Sequence, residues 1–293
     1  MDRRSFLGIS VAACGMVLLS PSLDGIPLLA ETGNVLDSVW IGHSTVLLRF
    51  PGLNVLTDPV LFDRVGVQVL GSTVGISRYT RPAIKPDDLP RIDLVLLSHA
   101  HMDHTDIQSL EFLTERNPGG TTCICATNTS DIIEGMNWKS VVELDWEDRT
   151  KIGGLEVTAF EVLHNGWRYP WEPCRRNGQR KTGRSYNGYV LEYDGLRTVF
   201  GGDTAHKNNF GPRTNVDVSI MPIGAYEGYS DNHCNPEGCV DMVRQMSSRV
   251  LLPIHFGTFV QSDEPRDEPM KRLIDASSGL FIAGRRPGYK FKI

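Results

Sequence analysis

The stretch LSHAHMDHTD, Leu97 to Asp106, places three histidines and two aspartates in one short segment. It follows the apolar run of RIDLVLLS, the pattern of a strand buried on both faces. Histidines two residues apart cannot share one face of a helix, but at a strand end both side chains lean to one side. His99 and His101 therefore suit one cation. Asp103 and His104 begin the next turn and point elsewhere, so the same loop serves a second cation. A His-x-His pair alone is a weak signal; the full His-x-His-x-Asp-His after a buried strand is a strong one.

Working outward, the chain supplies what this loop lacks. A catalytic zinc takes three protein ligands and keeps one open position. His164 ends TAFEVLH, Asp203 follows the strand in VFGGDT, and His255 ends VLLPIH. All three stand at strand ends, where a sheet can aim them at one point.

The surrounding pattern alternates strands with helices. SVWIGHSTVLLRF, LNVLTDPV, TTCICAT, SVVELDW, GLEVTAFEVLH, VDVSIMPIG and RVLLPIHFG read as strands, and SYNGYVLEYDGLRTVFGGD as a hairpin turning at Asp194 and Gly195. DIQSLEFLTER is an amphipathic helix capped by Thr105 or Asp106; TSDIIEGM, NPEGCVDMVRQM and EPMKRLIDASS are further helices. Leu61 to Pro90 shows no clean period and reads as a long irregular excursion. Two successive halves, each ending in metal-type residues, predict an α/β fold of two packed sheets with helices outside. Residues 31–293 read as one domain after a leader at 1–30. No internal repeat is visible.

The motifs WIGHSTVLL, LTDPV, LPRIDLVLLSHAHMDHTD, GGDT, MPIGAY, HCNPEGCV and LPIHFGTF, spanning Val39 to Phe259, resemble those of metallo-β-lactamase-fold hydrolases. Within that superfamily the chain is most similar to the branch of the N-acylphosphatidylethanolamine-hydrolysing phospholipase D and its bacterial relatives. The resemblance implies a four-layer αββα sandwich with two mixed sheets. It implies two divalent ions, with zinc expected and iron or manganese equally suited to such ligands. One would be held by His99, His101 and His164, the other by Asp103, His104 and His255, with Asp203 bridging both. The expected nucleophile is a hydroxide shared by the two metals, with Asp103, Asp203 and His233 in the catalytic set. The net positive centre favours an anionic substrate, or an electrophile that becomes anionic as it is attacked, and the leading expectation is a phospholipid-like or other small phosphodiester. A lactonase or other acyl hydrolase of the same fold is the alternative enzyme, and a non-catalytic metal-binding module the alternative from another class.

Other residues enter with two readings each. His43 in IGHST lines the cavity or is an ordinary buried histidine; Asp58 in LTDPV orients the ligand loop and also suits an Asp-Pro turn. His233 in DNHCNPEG protonates a leaving group, holds a phosphate, or simply ends its loop. His206 is assigned no metal. The basic run Arg175, Arg176, Arg180, Lys181 and Arg184 follows His164 and could attract phosphate at the mouth of the site, or be a solvated loop. Trp167, Tyr169 and Trp171, with the apolar excursion Val65 to Ile76, could form a lipid-facing rim or pack over the sheet.

Composition narrows the classes. With 35 acidic against 30 basic residues the net charge is −5, against non-specific nucleic-acid binding. The opening MDRRSFLGISVAACGMVLLS resembles a twin-arginine export signal, with an apolar run too short to span a bilayer. It predicts recognition by export machinery and a periplasmic location with peripheral membrane contact. An uncleaved apolar helix and lipidation at Cys14 are the other readings. Cys123 and Cys125 fall on one face of a strand and read as buried thiols, whereas Cys234 and Cys239 can pair in an oxidising compartment.

Overall fold

A computed structural model describes residues 35–172, 183–212 and 215–293. The leader segment, Cys174, Arg175, Arg176, Arg180 and Lys181 lie outside the described residues. Among the described residues no helix is long and apolar enough to cross a membrane.

The chain opens with β1 (Asp37–Gly42), β2 (Thr45–Phe50) and β3 (Leu53–Thr57), then a ribbon of β4 (Arg64–Val69) and β5 (Ser72–Ser77). β6 (Leu94–Leu96), α1 (Ile107–Arg116), β7 (Thr122–Ala126) and β8 (Ser140–Leu144) complete the first half. The second half holds β9 (Arg149–Ile152), β10 (Leu155–Glu161), β11 (Asn187–Tyr193), β12 (Leu196–Phe200), β13 (Val218–Pro222), α2 (Pro236–Gln245), β14 (Val250–Ile254), α3 (Glu268–Ala276), β15 (Phe281–Ile282) and β16 (Lys290–Lys292).

These strands form two seven-stranded sheets, ordered β16-β1-β2-β3-β6-β7-β8 and β15-β14-β13-β12-β11-β10-β9. In each sheet the pairings are antiparallel on one side and parallel on the other. The two halves thus share a plan that no sequence repeat reveals. Leu94 to Leu97 are at most 2% exposed whichever way they point, as a strand covered on both faces requires. On one face α1 packs Leu110 and Leu113 against Val95, Cys123 and Cys125. Both thiols are free and buried in that core. Across the sandwich, the Tyr189 hydroxyl on β11 donates to the Leu97 carbonyl at 2.8 Å, tying one sheet to the other. Val240, Met242 and Val243 of α2 and Leu273 of α3 cover the outer face of the second sheet with Val199 and Leu251. The result is the four-layer sandwich expected from the motifs.

Two expectations change. The stretch Leu61 to Pro90 contains a regular ribbon, with Val65 opposite Ile76 and Val67 opposite Val74. Its apolar residues keep a period of two, but the intervening Gly66 and Gly75 weaken strand propensity, and its turn is Leu70-Gly71 at φ +49° and +77° rather than a recognisable Asn-Gly. The TSDIIEGM helix is a single 3₁₀ turn, Ser130–Ile133. Asp194 and Gly195 do form the hairpin turn, both at positive φ.

Candidate metal centre

The site is assembled where strands end. β6, β12 and β14 lie in the parallel parts of their sheets, so their carboxyl ends point the same way within each sheet. The loop Ser98–Asp106 follows β6, Asp203 follows β12, and His255 follows β14 directly. His164 lies three residues beyond β10, and His43 and Asp58 follow β1 and β3. His43, Asp58 and His255 all hold positive φ, 51°, 31° and 59°, a strained geometry for non-glycine residues that concentrates at functional sites. Gly202 brings Asp203 past the ligand loop: a Cβ there would meet Ser98 Cβ at 2.7 Å.

The ring nitrogens converge. His99 Nε2 lies 2.9 Å from His101 Nδ1, and His164 Nε2 lies 3.3 Å from the same atom. Their outer nitrogens are all engaged. Ser98 Oγ donates to Asp58 Oδ2 at 2.5 Å, so it accepts from His99 Nδ1 at 2.9 Å. His101 Nε2 faces Asn165 Oδ1 at 2.9 Å, and His164 Nδ1 faces the Asn232 carbonyl at 2.9 Å. Three lone pairs therefore meet at one point. Uncompensated, that arrangement is repulsive; a shared cation makes it favourable.

A second group adjoins it. His104 Nδ1 donates to Asp58 Oδ2 at 2.6 Å, leaving His104 Nε2 buried without a hydrogen-bond partner, as are both nitrogens of His255. Asp103, His104 and His255 gather with His43 within ligand reach of one another. Asp103 Oδ2 is held from outside by His43 Nε2 at 2.9 Å and by Gln261 Nε2 at 2.6 Å. Asp203 Oδ2 sits between the two groups, 3.0 Å from His104 Nε2, 3.1 Å from His255 Nε2, 3.9 Å from His164 Nε2 and 4.0 Å from His99 Nε2. A third cluster, Asp58 with His99 and His104, is a hydrogen-bonded support, because Asp58 already accepts from Ser98 and His104. The donor set of imidazoles and carboxylates, with orphaned nitrogens aimed inward, fits divalent cations.

Electrostatics separate the two groups: the imidazoles of the first are neutral, whereas His104 and His255 are drawn towards their protonated form, so a cation there would have to displace protons. Burial holds His99 and His164 well below the ordinary imidazole pKa and His101 below it, so all three present lone pairs at neutral pH. Burial would lower His104 and His255 too, but Asp203 and Asp103 outweigh it, carrying His104 well above its usual value and His255 to about 9. Burial would raise Asp103 and Asp203, yet the adjoining histidines, His104 foremost, hold both well below the carboxylate range. Burial and His255 push His43 down to about 3, so it donates to Asp103 as a neutral ring.

The remaining candidates divide. His233 is at the rim, 14% exposed, with Nδ1 unpartnered and 3.8 Å from Asp203 Oδ2. Burial first, against the pull of Asp203, lowers its pKa to about 4. His206 is outside the cluster and bonds Asp241 at 2.8 Å. Arg184 is not a free anion-binding cation: its guanidinium pairs with Asp131 at 2.6 Å and Glu172 at 2.8 Å. Trp167 packs its ring 4.7 Å from that of His101, while Tyr169 stacks on Trp171, which is 79% exposed. Cys234 and Cys239 are free and buried.

Sequence reasoning passed over Ser98, Asn165, Arg168, Asn232 and Gln261. Arg168 donates to the carbonyls of Ala100 at 3.0 Å and Thr105 at 2.9 Å, pinning both ends of the ligand loop. Three of the five stand immediately beside a site histidine, which is the one signal the sequence offered.

Residues 53–256 match the beta-lactamase superfamily domain. The chain belongs to the metallo-β-lactamase superfamily. An uncharacterized protein of Mycobacterium tuberculosis is 32% identical over 86% of this chain and 67% of its own length. The N-acyl-phosphatidylethanolamine-hydrolyzing phospholipase D 1 of Caenorhabditis elegans is 29% identical over 86% of this chain and 72% of its own. Among solved structures, a metallo hydrolase from Ignicoccus hospitalis superposes with a TM-score of 0.61 at 17% identity, covering 88% of this chain and 98% of that one. The metallo-beta-lactamase fold protein YhfI of Bacillus subtilis gives 0.60 at 14% identity, over 89% and 100%. The chain is thus a metal-dependent hydrolase of this superfamily, with similarity to phospholipases of the N-acylphosphatidylethanolamine-hydrolysing kind.

Proposed function

We propose that the protein is an exported dinuclear metal-dependent phosphodiesterase that cleaves lipid-like phosphodiesters. The observation that carries the reading is the pair of converging ligand groups joined by one carboxylate oxygen, Asp203 Oδ2. His99, His101 and His164 would hold one divalent ion, and Asp103, His104 and His255 the other, zinc suiting both. Such ions lower the pKa of a bound water towards neutrality and steady the charge of an attacked phosphoryl group. The chain's own contribution is orientation: Asp58 and Ser98 fix His104 and His99, and His43 and Gln261 hold Asp103. His233, at the rim and unpartnered at Nδ1, would touch a substrate oxygen. The similarity to the nematode phospholipase supports a phosphodiester rather than an acyl substrate.

The ribbon supports work at a lipid surface. Its polar face, with Gln68 and Thr73, is tied to α1 through Thr73 and Gln108 at 3.0 Å. Its other face is apolar. Val65 is covered at the root by Val60 and Phe259, but Val67, Val69, Val74 and Ile76 are 41 to 57% exposed, and Leu70 at the tip is fully exposed. An apolar face turned to solvent suits a bilayer interface.

The deciding experiment assays purified protein on N-acylphosphatidylethanolamine vesicles and on a lactone, before and after chelation. Phosphodiester cleavage abolished by chelation is expected. Cleavage of the lactone alone would replace the substrate assignment, and turnover indifferent to chelation would sink the metal mechanism.

A further inference from the structure

We propose that Asn165 and Asn232 act as a two-amide clamp that sets the ring tautomers in one half of the centre, making them positioning residues for His101 and His164. The side chains form one directed chain. His101 Nε2 faces Asn165 Oδ1 at 2.9 Å, and Asn165 Nδ2 donates to Asn232 Oδ1 at 3.0 Å. Asn232 also offers its backbone carbonyl to His164 Nδ1 at 2.9 Å. One residue thereby governs two ligands, through its side chain for one and its main chain for the other.

The direction of the Asn165 amide decides the outcome. With its oxygen towards His101, the ring carries its proton on Nε2 and turns a lone pair on Nδ1 towards His99 and His164. With the amide reversed, Nε2 would become the acceptor and Nδ1–H would point into the ligand cluster, blocking that position. Reversal of Asn165 alone would set its Oδ1 against Asn232 Oδ1, so the two amides must turn together or not at all. The clamp also spans the fold: Asn165 lies beyond β10, and Asn232 lies in the turn before α2, held by its backbone N–H to the Tyr229 carbonyl at 2.9 Å. The other half of the centre has a different support in Asp58, His43 and Gln261, so the effect should be one-sided.

The test uses the full chain with ¹⁵N-labelled histidine, metal-free, read by long-range ¹H–¹⁵N spectra. In the wild type His101 should be the Nε2–H tautomer and His164 the Nδ1–H tautomer. N165L should mix or invert the His101 tautomer and leave His164 unchanged; N165D, which keeps the acceptor, should restore it. N232L should release the amide and disturb His101 while its backbone still holds His164, a second variant that stands if N165L folds poorly. Zinc competition titrations should show one of two ions weakened about 10- to 100-fold in N165L and N232L, less in N165D. This arm rests on the two-metal reading; the tautomer arm does not, and neither depends on which substrate is cleaved. An unchanged His101 tautomer in both leucine variants, or equal weakening of the two ions, would overturn the clamp.

Discussion

Asp203 is the residue on which the centre turns. Among the described residues its Oδ2 is the one carboxylate oxygen within 4.0 Å of candidate ligand nitrogens from both groups, and the residue is 2% exposed. Asp203→Ala should therefore strip bound metal from both positions, measured by elemental analysis after dialysis. His206→Ala, three residues away and 44% exposed at the side chain, should leave metal content at the wild-type level. Equal loss in both variants would show that the loop, and not the carboxylate, is what matters. At this scale the ligands were legible from residue type and spacing, because metal chemistry restricts the donors to a few side chains. The supports were not. Ser98, Asn165 and Asn232 act through single hydrogen bonds to ring nitrogens, and hundreds of serines and asparagines in any sequence set carry no such mark.

Among the elements, two segments carry predictions. Leu70 at the ribbon tip makes no packing contribution at full exposure, so Leu70→Asp should leave the melting temperature unchanged. It should reduce co-sedimentation with phosphatidylethanolamine-rich vesicles; undiminished binding would remove the ribbon from the membrane reading. Arg184 grips Asp131, Glu172 and the Asn128 carbonyl, the last at 2.9 Å. Arg184 holds the Asp131 carboxyl below its usual pKa. Burial would raise Glu172, but Arg184 and backbone N–H groups outweigh it and lower it as well. Carboxylates with lowered folded-state pKa stabilise above the unfolded value and lose that contribution as pH falls through the folded one. Arg184→Ala should thus cost about 1 kcal/mol at pH 7, a modest figure because Asp131 is well exposed, and the gap should narrow as pH falls below about 4. Urea midpoints at pH 7 and pH 3 read this directly, and an undiminished gap at pH 3 would contradict it. The ribbon itself escaped sequence reading because Gly66 and Gly75 dilute its strand propensity and its Leu70-Gly71 turn carries no Asn-Gly signal. The Arg184 pairing escaped because charge density in a loop says nothing of where partners on another segment lie.

For the whole molecule, the centre joins the loops of both sheets, so cation binding is linked to folding. Ligands from β6, β10, β12 and β14 must all be in place before the groups converge. Chelation should lower the melting temperature by roughly 10 °C, from linkage at ligand concentrations about a thousand times Kd in a domain of this size, and calorimetry with zinc re-addition should reverse it. An unchanged transition would mean that the site is not coupled to the global fold. By itself the sequence determined the layered α/β architecture, the four candidate ligands of Leu97–Asp106, and the strand-end placement of His164, Asp203 and His255. These follow from periodicity and donor chemistry, which are local and repeat along the chain. Only the tertiary structure decided that Asp203 Oδ2 stands nearer His104 and His255 than His99 and His164, that Arg184 is already paired, and that two asparagines 67 positions apart are hydrogen-bonded beside the rings of one half. Those facts depend on distances between segments remote in sequence, and the order of residues carries no measure of such distances until the two sheets pack.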